Sequence, residues 1–216
     1  TIEEILQLKQ QFIDAAIRAE KAGFDVIEIH AAHGYLLHEF LSPVSNLRQD
    51  EYGGCFKGRT RLLINIFHEM RKAINPNIAI GVRISATDWL ESGWNTPESI
   101  ELTELLEDLG CDYIHVSSGG LSPEQQIPLS PNYQVPLAQA IHENTMMPVI
   151  AVGLITEPLQ AEAIIATHQA DLVAIGRGIL FEPRWPWRAA SELNEQIDVA
   201  PQYLRSAPHQ FKHLFK

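Results

Sequence analysis

Apolar positions along the chain follow two alternating rhythms, helical stripes and short β-branched runs with few interruptions. "TIEE" at residues 1–4 fits a capping box, in which the Thr1 hydroxyl and Glu4 carboxylate satisfy first-turn amides. Ile5, Phe12, Ala16 and Ala19 then recur at helical spacing, and Gly23 supplies the stop. "DVIEIH" follows as a strand, "RLLINIFHEMRKAI" as a helix with Leu62, Leu63, Ile66, Phe67 and Met70 on one stripe, and "IAIGVRIS" as a second strand. Thr96 and Pro97 open the next helix as cap and first residue, and Gly110 closes it. Strand "YIHVSS", a proline-studded loop, helix "PLAQAIHEN", strand "PVIAVG", helix "EPLQAEAIIAT", strand "LVAIG" and a helix over Trp185–Leu193 complete the order.

Strands that are nearly all apolar, each followed by a helix, belong to a helix-covered parallel sheet. Such a sheet is either open and doubly wound or closed as a (β/α)8 barrel. His30, Arg83, Ser117, Gly153 and Gly176–Arg177 lie at or just after the C-terminal ends of five successive strands. A barrel gathers those positions into one site, whereas an open sheet spreads them along a crevice. The expected class is therefore α/β, a partial TIM (β/α)8 barrel. Five strands are visible where eight are needed, and the pattern begins with a crossover helix. The three absent βα units are thus expected upstream of Thr1, and the five strands are numbered 4 to 8. One domain is expected over 1–216, with barrel units in 1–195 and a C-terminal tail in 196–216.

Composition narrows the function classes. With 216 residues, 45% of them hydrophobic, the chain can bury a substantial core. No apolar run reaches the roughly 20 residues a membrane helix needs, and no signal segment opens the chain, so a cytoplasmic protein without a membrane partner is expected. A formal charge of -11 argues against a nucleic-acid partner. Two cysteines, Cys55 and Cys111, make neither a disulfide framework nor a metal quartet.

Candidate chemistry sits at the strand ends. "AVGLITEP" and "IGRGILFEP" place Gly153 and Gly176 at the last two strand tips, with Arg177 beside the second. Each glycine alone is explained by a tight turn. Together with an arginine fork in the last two units they point to a phosphorylated ligand. Arg83 in "GVRIS" either reaches solvent or faces a ligand or carboxylate at the barrel mouth, since an unpaired buried charge is costly. "EIHAAHGYLLHEFLSP" offers His30, His33 and His38, yet it is not an H-E-x-x-H motif and no Cys or Asp cluster accompanies it, so no metal is expected. Two readings remain for the histidines: loop packing, or a polar pair aimed at a substrate oxygen with Tyr35 as the acid.

The stretch "GFDVIEIHAAHGYLLHEFLSPVSNLRQDEYGG", continued by "GVRIS", "HVSSGG", "AVGLIT" and "ADLVAIGRGILFEPRWPWRAA", resembles the Old Yellow Enzyme family of flavin-dependent ene-reductases along essentially the whole chain, nearest its short bacterial NADPH dehydrogenase branch. The resemblance implies a TIM barrel with non-covalent FMN at its C-terminal mouth, reduced by NADPH or NADH. It implies that His30 and His33 hold the oxygen of an α,β-unsaturated or quinone-like small molecule (an enone, maleimide, nitroalkene or quinone). Tyr35 becomes the proton donor, Arg83 the cation at the flavin N1/C2 edge, Ser117 a cofactor contact, and Gly153, Gly176 and Arg177 the phosphate grip. Arg205 in "PQYLRS" resembles an arginine that crosses a dimer interface into the neighbouring site, so a homodimer or higher oligomer is implied. Cys55 and Cys111 do not match the family's flavin-tuning cysteine, which belongs to the absent units. The iron–sulfur branch is not expected. Two competitors follow from the shortfall in strands and from the phosphate grip: a catalytically incomplete half-barrel that cannot hold FMN alone, and a phosphate-binding barrel enzyme without flavin.

Overall fold

Thr1 Oγ1 accepts from the Glu4 amide at 3.2 Å and Glu4 Oε2 accepts from the Thr1 amino group at 2.7 Å, so the capping box forms. It opens α1 (Ile2–Lys21) in a computed structural model that describes residues 1–216. The buried stripe of α1 is Ile5, Ile13 and Ala16, with Phe12 half-buried beside it, and Gly23 takes φ +86° just past the helix end. The chain then runs through β1 (Val26–Ala31), α2 (Leu36–Leu41), α3 (Phe56–Ala73), β2 (Ala79–Ser85), α4 (Thr96–Asp108) and β3 (Tyr113–Ser117). It continues through α5 (Val135–His142), β4 (Val149–Val152), α6 (Pro158–Ala166), β5 (Leu172–Ala174), α7 (Arg177–Phe181) and α8 (Trp185–Glu192).

Two local differences from the sequence pattern have physical causes. Asn95, not Thr96, caps α4: its side chain accepts from the Glu98 amide at 3.1 Å, which leaves Thr96 as the first helical residue and Pro97 as the second. The helices α2 and α7 do not register as periodicity, because six and five residues make less than two turns.

All five strands pair in parallel, in chain order. Their two faces are chemically unlike. Ile29, Val82, Ile114 and Val149 stand in one register row, and Ala31, Ile84, Val116 and Ala151 in the next, all at most 2% exposed. These rows join the buried stripes of the helices, including Leu62, Leu63, Ile66, Phe67 and Met70 of α3, in one apolar core. On the opposite face, His30, Arg83, His115, Ile150 and Leu172 share a row, with Glu28, Gly81 and Tyr113 in the row towards the strand starts. Side chains alternate along a strand, so one face packs the helices and the other carries titratable groups.

β1 and β5 are the edge strands, and large apolar side chains flank both: Phe24 and Val26 are 62% and 52% exposed, Leu180 and Phe181 81% and 94%. Beyond α8 the chain folds back through a bridge between Ile197 and Phe215, with Trp187 against Tyr203 and Phe215 and the Arg184 guanidinium 4.5 Å from its ring centre. No helix is long and apolar enough to cross a membrane.

Candidate active site

The turn after β1 holds His33 and Gly34 in the left-handed region, at φ +59° and +73°. A side chain at Gly34 would meet the Gly120 carbonyl oxygen at 2.3 Å, and one at Gly120, itself at φ +93°, would meet His33 Cα at 2.5 Å. The loops after β1 and β3 therefore touch backbone to backbone, which only glycine permits. His33 is anchored in its uncommon conformation through its amide, which donates to Ser85 Oγ at 3.0 Å, while Ser85 Oγ donates to the Gly119 carbonyl at 2.8 Å.

This turn collects the three residues the sequence singled out. The His30 and His33 rings lie edge to face with centroids 5.3 Å apart, and the Tyr35 ring lies 5.1 Å from His30. Tyr35 is largely exposed, so its hydroxyl is accessible to a ligand. His33 Nε2 lies 2.7 Å from Ser117 Oγ, whose contact with Gln134 Oε1 is long at 3.4 Å. The short contact ties the His33 ring to Ser117, whose hydroxyl donates on towards Gln134.

Arg83 stands next to His30 in register, and its Nε is buried with no hydrogen-bond partner in the chain. Burial and the Arg83 charge push His33 down to about 4, and the same two causes lower His30. Both imidazoles are therefore neutral near pH 7, each with one N–H to donate. Burial works to raise the Glu28 carboxyl, but the His115 hydrogen bond at 3.0 Å and the charges of His115 and Arg83 outweigh it and hold it below its ordinary range.

These shifts have a consequence for stability. Between about pH 6.5 and 4 the unfolded chain binds a proton at His33 that the folded chain refuses. The stabilisation is complete above that window, declines as pH falls through it and levels off below. Urea midpoints are expected to drop between pH 7 and 5, above the range where carboxylates titrate, and His33→Asn is expected to flatten the drop. An unchanged slope in that variant would mean that His33 titrates as a solvated imidazole.

The remaining candidates occupy the other end of the sheet. Gly153 follows β4 at φ +119°, where a side chain would meet Gln134 Nε2 at 2.4 Å. Gly176 precedes α7 with open space where a Cβ would stand, and Arg177 begins that helix, exposed. Because β4 and β5 are paired neighbours, these loops lie side by side. Arg205 sits on a 3-10 turn of the tail, Pro201–Ser206, exposed and outside the His30–His33–Tyr35 cluster. No group of three or more His, Cys, Asp or Glu side chains comes together to hold a metal ion.

Sequence reasoning missed the polar groups behind the turn. Ser85, Asp88 and Gln134 are buried and bond to it or to its neighbours across long separations. His38 was visible, but only as a third histidine. Its spacing of four from Gly34, whose amide donates to His38 Nδ1 at 2.9 Å, was the available signal. The "SNLRQDEYGG" string braces α2: Asn46 Nδ2 donates to the Phe40 and Tyr52 carbonyls at 2.7 and 2.8 Å.

Comparison with known proteins identifies the family. The model of the NADH:flavin oxidoreductase / NADH oxidase family matches residues 1–196. An NADPH dehydrogenase of Geobacillus thermodenitrificans is 44% identical over 205 residues, covering 95% of this chain and 59% of that protein. One of Bacillus subtilis is 43% identical over 203 residues, covering 94% of this chain and 59% of the relative. The chain thus spans about 59% of the length of these curated relatives. Among solved structures, a 2-naphthoyl-CoA reductase complex aligns with a TM-score of 0.83 at 27% identity over 89% of this chain and 30% of its own. A morphinone reductase variant in complex with tetrahydroNAD aligns at 0.73 and 25% identity over 89% of this chain and 50% of its own. The chain belongs to the NADH:flavin oxidoreductase / NADH oxidase family, the Old Yellow Enzyme family whose motifs its sequence carries.

Proposed function

We propose that the chain forms the substrate-activating part of an FMN-dependent ene-reductase driven by NADPH or NADH, its five strands being strands 4 to 8 of a TIM barrel. The observation that carries this is the convergence of His30, His33 and Tyr35 beside an arginine whose Nε has no partner. The residues present fit a flavin mononucleotide. Arg83 offers an unspent charged donor to an electron-rich ring edge, and Gly153, Gly176 and Arg177 offer bare backbone and a guanidinium to a phosphate on adjacent loops. When bound, the flavin supplies the hydride.

The chain's own part is acid–base chemistry. Neutral His30 and His33 donate hydrogen bonds to the carbonyl or nitro oxygen of an activated alkene and withdraw electron density from its double bond. Tyr35, exposed beside His30, gives its phenolic proton to the α-carbon. Ser117 assists by holding the His33 ring through the 2.7 Å contact to Nε2, and from its strand end it would serve as a cofactor contact. Arg205, with no ion pair in its own chain, is available to a neighbouring copy in a dimer.

The apolar residues flanking both sheet edges favour a second reading, in which this chain needs partner strands before it holds FMN. Adding FMN to the purified chain and recording its visible spectrum, then NADPH consumption with cyclohexenone, separates the two. A bound-flavin spectrum with enone-dependent turnover, lost in His30→Ala/His33→Ala, is the expected result. A colourless protein would assign FMN binding to the completed barrel, and flavin binding with turnover indifferent to both histidines would overturn the clamp.

A further inference from the structure

Behind the turn that carries His33 lies a second polar pair that the proposed chemistry does not use. His38, on the first turns of α2, and Asp88, in the loop after β2, are both 0% exposed, with Nε2 and Oδ1 2.7 Å apart. The ring's other nitrogen, Nδ1, accepts from the Gly34 amide at 2.9 Å. An accepting Nδ1 carries no proton, so the ring's hydrogen is on Nε2 and donates to Asp88. The second Asp88 oxygen accepts from Ser42 Oγ at 2.6 Å and from the Trp94 amide at 2.7 Å. Burial alone would push this carboxyl up, but the three donors outweigh it and keep it ionised. Gly34 is also the residue whose backbone touches Gly120 and whose neighbours are His33 and Tyr35.

We propose that the His38–Asp88 pair is a positioning device for the substrate clamp. Asp88 holds the proton on His38 Nε2, so that Nδ1 is always ready to grip the Gly34 amide and fix the left-handed turn presenting His33 and Tyr35. This rests on the reading of His33 and Tyr35 as the clamp. A surface turn normally gives its spare amides to water. Here one oxygen of the buried, ionised Asp88, 50 residues from His38 in sequence, holds that amide through one imidazole nitrogen, while the other oxygen takes Ser42 and Trp94. The grip depends on a tautomer, which separates positioning from simple packing.

Asp88→Asn tests it. The asparagine carbonyl keeps the Ser42 and Trp94 donors, so its NH2 faces His38 Nε2, which must then accept. The proton moves to Nδ1 and confronts the Gly34 N–H. In the wild-type protein, nitrogen-15 spectra of the His38 ring are expected to show a bare Nδ1 and a protonated Nε2 at pH 7. The opposite tautomer, or a doubly protonated ring, overturns the proposal before any variant is made. In Asp88→Asn the tautomer is expected to reverse, the Gly34 amide to exchange faster, and the His33 ring signals to move. On the FMN-loaded protein, 4-nitrophenolate, an oxyanion probe of the clamp, is expected to bind about 10- to 100-fold more weakly. A reversed tautomer with unmoved His33 signals and unchanged probe binding would refute positioning.

If Asp88→Asn does not fold, His38→Asn and His38→Leu decide the matter. Asparagine keeps an acceptor for Gly34 and leucine does not, so probe binding is expected to survive in the first and fall in the second; equal losses refute the proposal. Where Asp88→Asn does fold, adding it to His38→Asn is expected to bring no further loss, because no tautomer remains to reverse. Should the wild-type chain bind neither FMN nor 4-nitrophenolate, the reading in which this chain holds FMN alone gives way to the one in which partner strands complete the site. The ring-nitrogen and His33 comparisons then decide the positioning by themselves.

Discussion

Gly34→Ala is expected to remove substrate turnover while leaving the helix-covered core folded. The new methyl group would stand 2.3 Å from the Gly120 carbonyl oxygen, and the obstacle is backbone, which cannot rotate aside. A left-handed φ of +73° adds about 1–2 kcal/mol for any residue bearing a Cβ. Together these put the cost at the high end of single substitutions, about 3 kcal/mol or more. The strain can be relieved only by parting the loops after β1 and β3, which takes His33 and Tyr35 with it. A displacement of about 1 Å at a substrate-holding group costs on the order of 100-fold in rate. Urea unfolding followed by far-ultraviolet circular dichroism should show a shifted but cooperative transition, and kcat/KM for an enone should collapse. Wild-type turnover in this variant would show that the two loops are not locked together.

The second large effect is expected at Arg83, and it separates cofactor affinity from stability. In Arg83→Leu, FMN affinity should fall about 10- to 150-fold, the value of a charge-assisted hydrogen bond of about 1.5–3 kcal/mol. Unfolding should move by less than about 1 kcal/mol, because the buried Nε gives up no partner and leucine suits a row that already contains Ile150 and Leu172. The guanidinium charge also helps depress His33, so the His33 imidazole should titrate above its present value of about 4. Flavin fluorescence quenching gives the affinity, and the His33 ring protons followed against pH give the titration. Unchanged FMN affinity would show that the guanidinium does not touch the flavin.

The fold was legible where a single stretch of chain determines its own structure. The α3 stripe, the capping box at Thr1 and the five β-branched runs are statements about neighbours within a few residues, and all appear in the structure. Parallel order followed from strands lacking polar alternation, although β1 does alternate in burial, since Glu28 and His30 lie on the uncovered face of an edge strand. The meeting of His30, His33 and Tyr35 was legible because those residues cluster in sequence as they do in space. Its support was not. Ser85 reaches the turn from another strand, 52 residues from His33, Asp88 reaches His38 behind it, and Gln134 stands behind Ser117, and no spacing rule announces such meetings. The α4 cap missed by one residue because asparagine and threonine are both good caps, and only the geometry at Glu98 chooses between them.

The unlike faces of the sheet divide the labour of each strand between alternate residues. Ile29, Val82 and Ile114 answer to the helices, while His30, Arg83 and His115, one position further on, answer to whatever occupies the other side. On the proposed function, variation at the second set would change which molecules are accepted without touching the buried rows that pack the helices. Variation at the first set is constrained by volume whatever the reaction. A strand built this way lets catalytic novelty arise one residue away from a position that tolerates almost none.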